Sequence, residues 1–226
     1  MTQIQNIAVS GQWNLITTPT DAGSPANYYA NITNWGSGTF YAPGGSVLVA
    51  RNNNADSGLF EQANTSILGK LVGNRVTVAL NAWGNNRILT GTISADGNAM
   101  SGSYTDTLGS GTWTAQKRPA VTGTYSGFFT SIANPSAKPI LLAADLSQDD
   151  AFGITGRAVV ENARFTSLAF GPGSRAVGGA IHLVDSSSGA TFNLTPFENG
   201  KLSLTAPFYA SYQCVGDVGT GTVNAV

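Results

Sequence analysis

The chain has 226 residues, a formal net charge of −1 and only 10% charged residues, against about a quarter in an average domain. With four Lys, three Glu and 28 Gly, it lacks the charged outer face that a helical bundle or coiled coil needs, and 42% hydrophobic residues exclude a disordered chain. A near-neutral charge without a basic run removes the electrostatic footprint of a nucleic-acid binder, so no nucleic-acid partner is expected.

Along the chain, apolar residues recur with a period of two, the mark of strands with one buried face. Segments 9–17, 27–33, 38–42, 46–51, 67–72, 75–83, 87–95, 99–106 and 111–116 read as strands. That density suits an antiparallel meander barrel or sandwich. In 75–83, Val76, Val78, Leu80 and Ala82 point one way, and Arg75, Thr77, Asn81 and Trp83 the other. Leu59–Leu68 is the only stretch that reads as a helical turn. Asp96-Gly97 signals a hairpin, because its central residues need positive φ. At Lys117-Arg118-Pro119-Ala120 the pattern breaks, since Pro119 cannot donate to a ladder. Strands then resume: Ile140, Leu142, Ala144 and Leu146 share a face, Ile181 and Leu183 share another, and Asn199-Gly200 is a second hairpin signal.

The chain also repeats itself. Val9-Ser10-Gly11-Gln12-Trp13 recurs 112 positions later as Val121-Thr122-Gly123-Thr124-Tyr125. Gly109-Ser110-Gly111-Thr112-Trp113 recurs 110 positions later as Gly219-Thr220-Gly221-Thr222-Val223. The expected fold is therefore all-β: two tandem antiparallel meander barrels, or barrel-like sandwiches, spanning 1–118 and 119–226. Pairing the first strand of each half with its last would close it and remove exposed edges.

The frame of Gly11, Trp13, Gly91, Gly97, Gly102, Tyr104 and Trp113 continues in the second half through Gly123, Tyr125, Cys214, Gly216, Asp217 and Gly221. Over nearly the whole chain it resembles that of predicted secreted lipoproteins common in Acidobacteria. The Gly-x-Trp opening is also similar to that of lipocalin and avidin barrels. The resemblance implies a β frame and an exported compartment, and it brings no catalytic motif. Two features depart from it: the anchoring cysteine is missing, and Cys214 stands alone, with Arg164 in the place the resemblance gives to its partner. No signal peptide is visible in Met1–Gln12. The expectation is a mature segment whose export signal was removed, with Met1 added as a start codon. Its expected location is extracellular, periplasmic or anchored at the outer membrane. Apolar stretches such as Pro139–Ala144 fall far short of the ~20 residues of a membrane helix, so no transmembrane segment is expected.

Few residues carry chemistry. His182, the sole histidine, alternates out of phase with Ile181 and Leu183 and reads as an outward strand residue, which leaves a Ser-His-Asp triad without a base. One cysteine cannot close an intrachain disulfide, nor can it build a zinc site with one histidine. Asp145, Asp149 and Asp150 cluster around a turn, and Asp96, Asp106, Asp185 and Asp217 fall in loops. They read as solvated turn residues rather than a glycosidase pair, and Asp149-Asp150 lacks the ligand spacing of an EF-hand. Gly171-Pro172-Gly173-Ser174-Arg175-Ala176 superficially matches a dinucleotide fingerprint, but no helix follows, so it reads as a turn. No catalytic residue, metal or cofactor is expected.

The aromatics carry the one positive hint. Tyr28, Tyr29, Trp35, Phe40 and Tyr41 lie among Asn27, Asn31, Asn34, Gly36 and Gly38, a combination that can stack on sugar rings or wall a small-molecule pocket. The competing reading has Tyr28 or Tyr29 in the core and Trp35 capping a hairpin; Trp35, in Asn34-Trp35-Gly36, is the best single contact candidate. In the second half Phe128, Phe129, Phe208, Tyr209 and Tyr212 read as core. The expectation is a non-enzymatic exported β protein that binds a small apolar ligand or glycan. Its rival is a structural surface subunit that self-associates, which low charge favours by limiting repulsion.

Overall fold

Strand after strand, alternation places one side chain inward and the next outward, and the pairing of these strands builds two units. The computed structural model describes residues 8–21, 23–42, 47–50, 60–61, 66–82, 84–131, 136, 140–160, 166–189, 191–196, 201–207 and 218–225. Among them there is no helix, and hence none long and apolar enough to cross a membrane. The break between two compact units falls between Pro119 and Ala120.

The first unit holds β1 (Gly11–Pro19), β2 (Ala26–Asn34), β3 (Thr39–Ala42), β4 (Val47–Ala50) and β5 (Phe60–Glu61). It continues with β6 (Ser66–Val72), β7 (Arg75–Ala82), β8 (Asn85–Ile93), β9 (Ala99–Thr105) and β10 (Ser110–Arg118). The ladder runs β1-β10-β9-β8-β7-β6-β3-β2, and β2 pairs back onto β1, so eight strands close an antiparallel barrel. First and last strands meet from Gln12 opposite Arg118 to Pro19 opposite Gly111. β4 and β5 branch off β2, which offers residues 33–34 to β3 and 28–30 to β4. The helical-turn reading of Leu59–Leu68 is corrected here. Phe60–Glu61 pairs with β4, and the chain pairs with β7 from Ser66 and with β3 from Ile67, two ladders that one helical turn cannot match.

The glycines of this barrel make room for its aromatics. A Cβ on Gly69 would lie 2.1 Å from the ring of Phe40, its partner across β3 and β6, and one on Gly111 would lie 2.5 Å from the ring of Tyr104. The pair Gly91 and Gly102 brings β8 and β9 so close that a Cβ on Gly102 would sit 1.9 Å from the Thr90 carbonyl oxygen. That oxygen accepts the Trp113 indole N–H at 3.1 Å. Trp13, Tyr28, Phe40, Ile67, Leu80, Leu89 and Trp113 consequently fill the interior, all but removed from solvent. Each such side chain contributes about 1.5–3 kcal/mol relative to an exposed one. Trp13 plugs one end, its indole N–H donating to the Val9 carbonyl at 2.8 Å. Lys117 lies over the Trp13 ring at 5.9 Å and donates to the Ala8 carbonyl, and burial there pushes its ammonium pKa down.

The second unit holds β11 (Gly123–Ser131), β12 (Ile140–Gln148), β13 (Ile154–Val160), β14 (Thr166–Phe170) and β15 (Arg175–Val177). It ends with β16 (Ala180–Val184), β17 (Thr191–Pro196), β18 (Lys201–Pro207) and β19 (Val218–Ala225). Its order is β14-β13-β12-β11-β19-β18-β17-β16-β15, again with first strand beside last. Unlike the first, this ladder stays open between β14 and β15. Two isolated bridges span the opening, Gly153 to Arg175 and Phe170 to Asp185. The core gathers Val121, Tyr125, Leu146, Ile154, Leu168, Phe170, Ile181 and Leu183. Tyr125 donates its hydroxyl to the Val121 carbonyl at 2.8 Å, over the same four-residue separation as Trp13 and Val9. The core reading of Phe128 is corrected: it is 62% exposed, because adjacent residues of a strand face opposite ways and Tyr125 sets the inward phase of β11. Asn199-Gly200, Arg164, Cys214 and Asp217 lie outside the described residues, although β17 and β18, which flank Asn199-Gly200, pair antiparallel.

Candidate functional site

The structure divides the five aromatic candidates between core and surface. Tyr28, Tyr29 and Phe40 are 0%, 2% and 1% exposed and are corrected to core residues. Tyr28 and Phe40 fill the barrel interior, while Tyr29, one residue out of phase, faces the opposite side of β2 and accepts from the Asn27 amide at 3.1 Å. Both faces of β1 and β2 are buried around it, including Gln12, Asn14 and Asn31, which alternation alone does not announce.

Trp35 and Tyr41 remain at the surface and together. Trp35 is 72% exposed, and its ring centroid lies 5.3 Å from that of Tyr41 at an interplanar angle of 53°. Their meeting follows from register. Thr33 faces Tyr41 across β2 and β3, and the Trp35 N–H donates to the Thr39 carbonyl at 2.8 Å, so Trp35 and Tyr41 are diagonal neighbours on the outer face. Behind them the turn is rigid. Gly36, Ser37 and Gly38 all have positive φ, the Thr39 N–H returns to Gly36, and the Leu71 N–H on β6 donates to the Gly38 carbonyl at 2.7 Å. A Cβ on Gly38 would collide with the Leu71 oxygen at 2.4 Å, so only glycine fits against β6 here.

The barrel end opposite Trp13 holds a polar cluster that the sequence reading missed. Arg87 on β8 is in phase with inward-facing Leu89. Its Nε donates to Asp106 Oδ2 at 2.9 Å, its Nη1 donates to the Tyr28 hydroxyl, and its guanidinium lies 5.9 Å from the Tyr28 ring and 5.7 Å from the Tyr104 ring. Asp106, its side chain only 4% exposed, also accepts from Asn85 and from the Leu108 and Gly109 N–H groups. Burial pushes its pKa up, but these donors outweigh it and hold the carboxyl below its ordinary value. Burial pushes the Tyr28 and Tyr104 hydroxyls up despite the Arg87 charge. The signal was available: an Arg in an inward phase demands a buried partner. Arg87 and Asp106 neutralise each other and seal this end.

The remaining carboxylates separate in the same way. Two of them are corrected from solvated turn residues: Asp106 is half-buried with its carboxylate turned inside, and Asp185 is buried. Asp185, 1% exposed, accepts from the Ala169 and Ser188 N–H groups and from the Ser187 and Ser188 hydroxyls. Burial raises its pKa, yet these four donors hold it far below the usual carboxylate range. Asp145 sits mid-strand on β12 rather than in a turn and accepts from the Thr124 hydroxyl at 2.7 Å. Asp149 is a turn residue, accepting from the Ala151 and Gly153 N–H groups, with exposed Asp150 beside it. Gly171–Ser174 is a turn closed by the Ser174 N–H on the Gly171 carbonyl. His182 lies half-buried on β16, on the face opposite Ile181 and Leu183.

No protein-family model matches this chain, and no curated protein sequence does either. Among solved structures, a protein of unknown function from the DUF3598 family of Nostoc punctiforme aligns over 100% of both chains, at 10% identity and a TM-score of 0.29. Burkholderia oklahomensis agglutinin aligns over 100% of this chain and 99% of its own, at 10% identity and a TM-score of 0.23. Likenesses this slight carry no argument; the fold rests on the ladders above.

Proposed function

We propose that this chain is a non-enzymatic β protein, exported to a bacterial surface or periplasm, that holds a glycan on the Trp35–Tyr41 shelf. The observation that carries this reading is the 72% exposure of Trp35 on a turn pinned by backbone hydrogen bonds. An indole left in water forfeits most of the roughly 1.5–3 kcal/mol that burial of a large apolar side chain contributes. A tilted pair of aromatic faces, with Thr39 on the same outer face and exposed Ser37 in the adjoining turn, suits the apolar face and hydroxyl rim of a sugar ring. A small apolar ligand is the weaker choice for the first barrel, because its interior is filled by its own side chains. Low charge and a Gly-, Asn- and Thr-rich composition support the exported location.

The test is a glycan array followed by calorimetry on wild type and Trp35→Ala. Loss of ring stacking, worth about 0.5–1.5 kcal/mol, should weaken binding about 2- to 10-fold without altering the circular dichroism spectrum. A wild type that binds no glycan, or a variant that binds as well, would overturn the reading. A second reading, a self-assembling surface subunit, draws on exposed Leu68 (51%) and Val72 (63%) near the shelf. It requires oligomers in multi-angle light scattering that Leu68→Ser dissolves.

A further inference from the structure

The eight strands that close the first barrel contain five cationic residues, Lys70, Arg75, Arg87, Lys117 and Arg118, and no Asp or Glu. Acidic residues of this unit stand instead in connections, as Asp21, Asp96 and Asp106, or on the β5 branch, as Glu61. Arg87 is neutralised inside by Asp106, and Lys117 folds onto Trp13. Lys70 and Arg75 are different. Both are exposed on the outward phase of β6 and β7, and among the described residues neither side chain has an ion pair or hydrogen bond.

Register puts these two cations beside the aromatic shelf. Trp35 faces Thr39 across the turn, Thr39 faces Lys70, and the same transverse row runs on through Thr77, Thr90, Ser103 and Thr112. With strands about 4.8 Å apart, Lys70 stands roughly 10 Å from Trp35 along that row, the reach of a disaccharide. Arg75 opens the neighbouring row, about 7 Å along the strand direction, and continues into Thr92, Ser101 and Thr114. Every one of these hydroxyl residues beyond Thr39 is exposed. The wall therefore presents aromatic faces, an ammonium, a guanidinium and two rows of hydroxyls, interspersed with exposed Leu68 and Val72, and its eight strands carry no carboxylate to repel an anion.

We propose that the glycan held on this shelf is an acidic polysaccharide, its carboxylate or sulfate groups paired with Lys70 and Arg75. The inference rests on the glycan reading above and adds the charge of the ligand. Arg75 offers its planar fork to two anionic oxygens and Lys70 a mobile point charge, while sugar hydroxyls exchange hydrogen bonds with the threonine rows.

Two matched pairs of polymers differ only in charge: polygalacturonate against its methyl ester, and dextran sulfate against dextran. Affinity electrophoresis and calorimetry at low and high salt compare wild type, Trp35→Ala, the double variant Lys70→Gln/Arg75→Gln, and a control double variant in the second unit, Arg157→Gln/Lys201→Gln. Wild type is expected to bind at least one acidic polymer five-fold or more tighter than its neutral partner, with the preference shrinking as salt rises. Lys70→Gln/Arg75→Gln should abolish that preference and leave neutral binding intact, Trp35→Ala should weaken both forms, and the control should behave as wild type. Equal wild-type affinity within each pair, an undiminished preference in Lys70→Gln/Arg75→Gln, or an equal loss in the control would overturn the charge inference while leaving the glycan reading standing. A wild type that binds neither acidic nor neutral polymers would overturn both.

Discussion

Replacing Asp185 with Asn removes one charge and almost no volume from the point where β14 meets the end of β16. Four donors converge there: the Ala169 N–H at 3.0 Å on Oδ1, and on Oδ2 the Ser188 N–H at 2.9 Å and the Ser187 and Ser188 hydroxyls at 2.6 Å each. Hydrogen bonds to a charged group contribute about 1.5–3 kcal/mol each. In the Asn variant the carbonyl oxygen still serves Ala169, but an NH2 faces the other donors. The hydroxyls can rotate away; the Ser188 N–H cannot. The expected loss is therefore one charged hydrogen bond and some donor–donor repulsion, about 2–3 kcal/mol, and Asp185→Ala, which also orphans Ala169, should lose about 3–5 kcal/mol. Acid should narrow the gap. An unfolded Asp titrates near 3.9, whereas the native carboxyl does so far lower, so between those values the unfolded chain binds more protons and stability rises with pH. The Asp185 contribution is thus complete above about pH 5 and drains as pH falls below about 4 toward the native value. All four Trp precede residue 120, so indole fluorescence does not report on this unit. Urea unfolding followed by far-ultraviolet circular dichroism at pH 7 and pH 3, with hydrogen exchange at the Ala169 amide, measures the effect. An Asn variant within about 0.5 kcal/mol of wild type at pH 7, or a gap of the same size at both pH values, would refute the reasoning.

Asp106→Ala leaves the Arg87 guanidinium without its carboxylate at the barrel end and should destabilise by about 3–5 kcal/mol, whereas the double variant Arg87→Met/Asp106→Leu should recover most of the loss; chemical denaturation followed by Trp fluorescence compares them. Gly102→Ala drives a Cβ into the Thr90 carbonyl at 1.9 Å, a backbone contact that cannot relax cheaply, and should cost about 3 kcal/mol or prevent folding. A soluble Gly102→Ala with unchanged melting temperature would count against the close β8–β9 approach. Residues 1–118 expressed alone should melt cooperatively, since their barrel closes on itself through β1 and β10; an unfolded fragment would mean that the core needs the rest of the chain.

The all-β class and the nine strands first read between residues 9 and 116 were legible because alternation is a local property: each strand states its own period, and Val76, Val78, Leu80 and Ala82 need no partner to reveal a buried face. Likeness of the ends pointed to the pairing of first strand with last, which both units show. Burial on the outward phase was not legible. Trp35 and Tyr29 belong to the same aromatic cluster in sequence, yet one is 72% exposed and the other 2%, because exposure depends on what covers an outer face and no strand encodes that within itself. Arg87 finds Asp106 at a separation of 19 residues, and Asp185 collects a donor from Ala169 at 16. In both cases a loop carboxylate that composition marks as solvated is capped by local turn donors and drawn inside by a further donor that only strand pairing brings within reach, Arg87 for Asp106 and the Ala169 N–H for Asp185. Local chemistry determined which residues form strands; non-local pairing decided which polar groups those strands would bury, and left Trp35 outside.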